Sequence, residues 1–212
     1  MPRTPHRTRG KSMYSVHPGV ATVGDWIADL PRKTGRTLEE WIELVKKSGP
    51  AGEKDRPDWL KQEHGLGTNS AWWIAERAEG RGTEDADPEA YLEAAERYVE
   101  AMFAGPKAGL RPIYDELLKI GFELGEDVKA CPCKTIVPLY RRHVFAQIKP
   151  ATRTRIDLGF ALGNRKASGR LIDTGGFAKK DRITHRIPIA ARAEIDEDVK
   201  QWLKVAYDLD AK

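Results

Sequence analysis

The sequence predicts an α+β protein: a small N-terminal helical module of three helices followed by a domain with an antiparallel sheet covered on one face by helices. Two observations predict this class. Apolar residues recur at helical spacing as far as Gly125, and beyond it apolar and polar residues alternate with the period of two that is typical of strands. Of the 212 residues, 40% are hydrophobic and 32% are charged, as in folded globular proteins.

The chain is expected to divide into four segments. The basic start has no apolar run and is therefore not a secretory signal. No apolar run approaches the roughly 20 residues of a membrane span, so we expect no membrane association. The expected segments are a flexible basic tail at residues 1–20, a helical module at 25–80, a linker and connecting helix at 81–104, and the α+β domain at 105–212.

Helix signals place the N-terminal elements. Thr37 and Glu40 form a capping box that begins the first helix of the module. Gly65 ends the second helix, and the third, SAWWIAERAEG, is expected to be capped by one of the polar residues 68–70. Asp87 and Pro88 have the residue types of an N-cap and first helical position, so they begin the connecting helix.

The α+β domain is expected to read helix, sheet, helix. RPIYDELLKIGFELG has one apolar face, and Asp196 caps a final amphipathic helix. Four segments between these helices alternate as half-buried strands, and a short fifth strand is expected at 170–172. The four strand candidates are CKTIVPLY, HVFAQIK, TRTRIDLGFAL and DRITHRIPI.

Charge is unevenly distributed. The whole chain carries a formal charge of +4, but residues 129–192 hold 15 lysines and arginines against three acidic residues, which is +12. Residues 81–128 and 193–212 on either side are acidic, at −7 and −3. This asymmetry indicates an anionic partner for the α+β domain.

Several motifs resemble bacterial proteins that pair two uncharacterised domains. TGRTLEEWIELVKKSGP and WLKQEHGLGTNSAWWIA resemble domain-of-unknown-function family 4287, DUF4287. FAGPKAGLRPIYDELL, CPCKTIVPLYRRHVFAQIKPATRTRIDLG and THRIPI resemble family 5655, DUF5655. The resemblance implies a tandem architecture without a known activity. In outline the second family is similar to double-wing and frataxin-like α+β domains, which include nucleic-acid binders and iron binders, and it also occurs beside nuclease-like domains.

A basic sheet face is the first candidate site. If the strands are neighbours, their phasing places several cations on the side away from the helices, where guanidinium groups bind phosphate or carboxylate. Two alternatives are a solvated sheet face and a sheet face that pairs with the acidic helix at 84–100. Asp157 lies on the same face, where it either orients the arginines or neutralises them. The predicted anion-binding residues are Lys149, Arg153, Arg155, Asp157, Arg182 and Arg186, with His143 and His185 as minor candidates.

The helical module is the second candidate. Its helix–turn–helix outline suggests DNA binding, but the formal charge of residues 37–80 is −3. A helix that binds in a DNA groove needs positive charge to neutralise the phosphates. Trp72 and Trp73 are adjacent and cannot face the same way, so one is expected in the core and the other at a contact. An interaction module is therefore favoured.

Catalytic and metal motifs are weak. Cys131 and Cys133 form a C-x-C, which could bind a soft metal with His143 but is more typical of two small buried residues. His185 lies on the apolar face of its strand, where a hydrogen-bonded core histidine is the ordinary interpretation. No base stands beside a nucleophile in any motif, so we expect neither an enzyme nor a cofactor.

The sequence thus predicts a cytoplasmic binding protein that holds nucleic acid or another polyanion on the basic sheet face. Two alternatives stay open. One is a small-molecule or metal site between the sheet and the C-terminal helix, which could also be catalytic. Its compact anionic ligand would be surrounded by Lys149, Arg153, Asp157 and His185. The other is a protein-interaction adaptor anchored by an exposed tryptophan.

Overall fold

The computed structural model describes residues 12–211, which fall into two units. The helical unit comprises residues 16–93, and the sheet unit comprises residues 94–211 with residues 12–15. Residues 1–11 of the expected tail lie outside the described residues. Within the rest of it, Tyr14 is buried in the sheet unit, where its hydroxyl lies 3.0 Å from that of Tyr114.

Four helices build the helical unit, and a fifth begins in it. The capping box is present, since Thr37 Oγ1 accepts from the Glu40 amide at 3.2 Å and Glu40 Oε2 from the Thr37 amide at 2.8 Å. The predicted cap at 68–70 is wrong, because the helix already begins at Thr68 after Gly67. The helices are α1 (Pro18–Thr34), α2 (Leu38–Ser48), α3 (Arg56–His64), α4 (Thr68–Ala78) and α5 (Pro88–Met102).

Helix α1 was not predicted and adds a fourth helix to the expected three. Pro18 stands at its first turn, where a missing amide costs nothing, and His17 Nδ1 caps it by accepting from the Gly19 amide at 2.9 Å. Gly35 ends it in the left-handed conformation at φ 75°. The helix contributes Leu30 to a core that it shares with α2, α3 and α4.

The sheet unit holds the rest of α5, two further helices and six antiparallel strands in the order β1-β2-β3-β4-β6-β5. Every predicted strand has a counterpart, but each is shorter than its segment, and β1 was not predicted. The elements are α6 (Arg111–Glu123), β1 (Lys129–Ala130), β2 (Val137–Tyr140), β3 (Val144–Lys149), β4 (Ile156–Phe160), β5 (Ile172–Asp173), β6 (His185–Ile189) and α7 (Glu197–Leu209).

Helices α6 and α7 pack on one face of the sheet. A Cβ on Gly121 of α6 would lie 2.8 Å from Leu139 of β2, so the glycine lets the helix approach closely. On the α7 side, the rings of Phe145 and Tyr207 meet edge to face at 5.6 Å. The α+β class is therefore confirmed, with N-terminal helices before a sheet domain. In residues 12–211 no helix combines the length and apolarity needed to cross a bilayer.

A register shift between Leu139 and Tyr140 corrects the predicted phase of β3. In HVFAQIK, strict alternation predicts Phe145 on the same polar face as Gln147. Leu139 instead opposes Ala146 and Tyr140 opposes Val144, so Phe145 is the extra residue of a bulge and turns towards α7. Beyond the bulge, the strand keeps the expected phase.

Candidate polyanion-binding surface

The central strand pairs define an outer sheet face away from α6 and α7. Directly opposed residues of an antiparallel pair share a face. Asp157 of β4 opposes Lys149, and Gly159 opposes both Gln147 and Arg186. Ile148, Leu158 and Ile187, which alternate with them, are fully buried on the helix side. We call the exposed side, with Gln147, Lys149, Asp157, Gly159 and Arg186, the outer face.

Asp157 holds two arginines on this face. Arg186 Nη1 donates to Asp157 Oδ2 at 2.9 Å, and Arg155 Nε lies 2.8 Å from Oδ1. Only 16% of the Asp157 side chain is exposed, so the cluster is partly shielded from water. The three groups sum to a single positive charge, and the carboxylate holds Arg186 through a hydrogen bond and Arg155 through an ion pair.

Lys149 and Arg153 lie beside this cluster and are exposed. Neither makes an ion pair within residues 12–211. The expectation that Arg153 and Arg155 lie on a strand is wrong, because β4 begins only at Ile156. Arg153 instead occupies the β3–β4 connection, where the Lys107 ammonium donates to the Pro150 carbonyl at 2.8 Å.

Arg182 does not join the other arginines, which corrects the predicted site. Strand β6 begins at His185, so Arg182 precedes the ladder and its side chain does not follow the strand phase. Its Nε donates to the Val144 carbonyl at 2.9 Å, and its guanidinium pairs with Asp210. Val144 and Asp157 belong to opposite ends of the sheet, so Arg182 lies at the far end from Asp157.

Asp210 is a buried anchor that sequence reasoning missed. Its carboxylate is 4% exposed and accepts from the Arg142 and His143 amides at 2.9 and 2.8 Å. His143 Nδ1 lies 3.1 Å from its other oxygen, which Arg182 also contacts. His143 is therefore part of this anchor and not of the outer face. We call the two ends of the sheet the Asp210 end and the Asp157 end.

His185 is a hydrogen-bonded core residue. Its Nε2 lies 2.9 Å from the Arg165 carbonyl, and its Nδ1 lies 2.8 Å from Thr184 Oγ1. A carbonyl only accepts, so Nε2 carries a proton and donates to Arg165. The side chain is buried on the helix side of β6, whereas Asp157 lies on the outer face, so the two do not surround one compact ligand.

The connections at the Asp210 end carry a second set of cations that the strand patterns do not reveal. Three connections lie at this end of the sheet: β2–β3 before the start of β3, β4–β5 after the end of β4, and β5–β6 before the start of β6. The hydrogen bond from His185 to the Arg165 carbonyl holds the β4–β5 connection beside the start of β6. We call the five cations here without an ion pair in residues 12–211 the basic rim: Arg142, Arg165, Lys166, Lys179 and Lys180.

Cysteine chemistry is not favoured. Burial raises the pKa of the Cys131 thiol to about 12, which keeps it protonated near neutral pH. In the part of the chain that the structure describes, no group of three histidine, cysteine or acidic residues could hold a metal ion. His143, the predicted third ligand, instead contacts Asp210.

The tryptophans of α4 face different environments. Trp73 packs edge to face on Trp26 at 4.8 Å, while Trp72 is 59% exposed. Arg77, the one basic residue of α4, is buried, so it is not presented to a DNA groove. A contact role for Trp72 stays a prediction.

Fold and surface together define a protein with a helical part followed by an antiparallel sheet domain that carries unpaired cations. Residues 99–210, more than half of the chain, match the model of the family described as "Domain of unknown function (DUF5655)", and the chain belongs to that family. Residues 23–80 match "Domain of unknown function (DUF4287)", which confirms the predicted tandem. No curated protein and no solved structure matches the chain.

Proposed function

We propose that the sheet unit binds a nucleic acid or another extended polyanion. The observation that carries this proposal is the share of cations without acidic partners. Of the 15 lysines and arginines in residues 129–192, nine make no ion pair within residues 12–211. They are the five residues of the basic rim together with Lys129, Lys134, Lys149 and Arg153. Unpaired cations repel one another, so an anionic partner would stabilise them.

The arrangement of these cations favours a long partner over a compact one. Lys149 and Arg153 lie at the Asp157 end, and the basic rim lies at the Asp210 end. Strand β4, of five residues, separates the ends by about 17 Å at roughly 3.3 Å per residue. A single small anion cannot contact both ends, whereas a phosphate backbone can.

The Asp157 cluster lies beside Lys149 at the Asp157 end and suits the same partner. Asp157 orients Arg155 and Arg186, and each guanidinium has donors beyond those directed at the carboxylate. A phosphate that binds these remaining donors would meet groups already held in place. Less side-chain entropy would then be lost on binding.

Binding should be measured by fluorescence anisotropy with labelled single-stranded and double-stranded DNA and RNA over a salt series. The test variant replaces the five residues of the basic rim with alanine. We expect an affinity loss of about 100-fold at low salt and a flatter plot of log affinity against log salt, because fewer counterions are released.

A matched control removes five cations from the helical unit: Lys33, Lys46, Lys47, Lys54 and Lys61. Both variants have the same net charge, so a nonspecific charge effect would weaken them equally. The proposal requires the control to bind within about threefold of the wild type. No binding by the wild type at low salt, or equal losses in both variants, would contradict it.

A further inference from the structure

The β5–β6 hairpin ends in a well-defined tip at residues 174–182. The Thr174 amide donates to the Thr184 carbonyl at 3.0 Å, and the Asp181 amide donates to the Gly176 carbonyl at 2.9 Å. Asp173 Oδ1 accepts from the Gly175 amide at 2.7 Å, and Gly175 adopts a positive φ of 70°. These bonds give the tip a fixed turn conformation.

The tip exposes an aromatic ring. Phe177 is 57% exposed, and Ile172 on the neighbouring strand is 40% exposed. Only four large apolar side chains in residues 12–211 are exposed, and this one hairpin holds two of them. Ile172 opposes Arg186 in the ladder, so it belongs to the outer face.

Cations flank the exposed ring. Lys179 and Lys180 follow Phe177 by two and three residues, are exposed, and belong to the unpaired basic rim. The Lys180 amide donates to the Phe177 carbonyl at 3.1 Å, so the lysine and the aromatic residue are joined across one turn. Lys180 adopts a positive φ of 60°, a conformation uncommon for a residue with a side chain. The turn thus keeps two lysines close in the chain to one exposed ring, in a hairpin that also carries Asp173 and Asp181.

We propose that this hairpin tip binds single-stranded nucleic acid, with an unpaired base stacked on Phe177 and the adjacent phosphates on Lys179 and Lys180. The inference rests on the proposed function and narrows it to one strand form. An aromatic ring beside lysines fits a single strand because each nucleotide offers a flat base face and a negative phosphate. In a duplex the base faces are already stacked on one another, so the ring would find no partner.

The test compares a labelled single-stranded dodecamer of thymidine or uridine with a duplex of the same length, using the full chain. We expect F177A and F177L to bind the single strand about 10-fold more weakly, since both lack the aromatic face. F177Y should retain wild-type affinity. Duplex binding and the salt dependence should not change, because none of these substitutions removes a charge.

Two further variants separate the contributions. K179A/K180A should flatten the salt dependence for the single strand, while W72A, which removes an exposed ring from the helical unit, should bind as the wild type does. If F177A and F177L bind the single strand normally while the rim variant does not, this inference fails and the proposed function stands. If the wild type binds no oligonucleotide at low salt, the proposed function itself fails.

A membrane surface is the competing partner for an aromatic ring beside lysines. Binding to vesicles of phosphatidylserine and phosphatidylcholine should therefore be measured in parallel. Vesicle binding that is lost in F177A, together with oligonucleotide binding that is unchanged, would overturn the inference. Wild-type protein that stays in the supernatant when the vesicles are sedimented, but binds the oligonucleotide through Phe177, would support it.

Discussion

The two ends of the sheet use their charges differently. At the Asp210 end one buried carboxylate accepts two backbone amides and contacts Arg182 and His143, so it ties three segments of chain together. At the Asp157 end a half-buried carboxylate contacts two arginines of the outer face. The first carboxylate organises the backbone, and the second organises cations. Two carboxylates that look alike in the sequence can therefore have different roles, one stabilising the backbone and the other holding arginines at the surface. The groups around each carboxylate decide which role it has.

Removing Asp210 should have the largest effect. D210A leaves the Arg142 and His143 amides without their acceptor and Arg182 without its counter-charge. We expect the free energy of unfolding to fall by about 3 kcal/mol, measured from the midpoint of urea denaturation. D208A serves as the control, because the ion pair of exposed Asp208 within residues 12–211 is with Lys204 one turn away, and its loss should cost about 0.5 kcal/mol or less. Equal losses in both variants would show that Asp210 is not an anchor.

Neutralising Asp157 should affect binding more than stability. D157N releases Arg155 and Arg186 from their shared carboxylate, so the outer face gains one positive charge but both guanidinium groups lose the carboxylate that holds them. We expect about 3- to 10-fold weaker binding of an oligonucleotide at low salt, because the lost orientation outweighs the added charge. Tighter binding with a steeper salt dependence in the anisotropy assay would mean instead that the negative charge of Asp157 opposes the polyanion.

The smallest effect should come from Asp127, which pairs with Arg141 at the Asp210 end. Hydrogen bonds from the Tyr207 hydroxyl and from Arg141 lower the pKa of this carboxyl group. A lowered pKa in the folded state stabilises the fold above the unfolded pKa of about 3.9, and this contribution disappears as the pH falls through the folded value. The urea midpoints of wild type and D127N should therefore differ at pH 7 and converge as the pH falls through the lowered pKa of the folded state.

The matched control is E126Q, which removes the neighbouring exposed carboxylate. No ion pair involves Glu126 in the described residues, so the urea midpoint of E126Q at pH 7 should match that of the wild type. A difference between D127N and wild type that persists in acid would show that the substitution disturbs the fold by a route other than charge.

Most of the fold could be predicted because periodicity reports directly on burial. The alternation in 143–149 and 152–162 located β3 and β4, and the capping box located α2. Helix α1 was not predicted because two glycines and Pro31 interrupt its pattern of helix-favouring residues. Its signals were present, with Pro18 at the start and Val20, Val23, Ile27 and Leu30 at helical spacing. Strand β1, of two residues, is too short to show a period.

The surface could be predicted only as far as the strands extend. Strand phase placed Lys149, Asp157 and Arg186 on one face, and their positions in the ladder agree. Arg182 was misplaced because it lies outside β6, where the period of two no longer holds. The basic rim lies on connections, which have no period, so the sequence reveals its charge but not its position. Asp210 acts across 67 residues, a distance that no local pattern reports.

Gly159 on the outer face has a mechanical consequence. A Cβ at this position would lie 2.7 Å from Cγ2 of Ile183, which precedes β6 at the base of the hairpin, and 2.9 Å from Cγ of Gln147. The absence of a side chain at Gly159 therefore lets the base of the hairpin pack closely against β4. A methyl group there would act as a wedge and tilt the tip without altering any charge. The shape of the outer face can thus change without a change in its charge. The absence of a side chain at residue 159 determines how closely the base of the hairpin that bears Phe177 approaches β4.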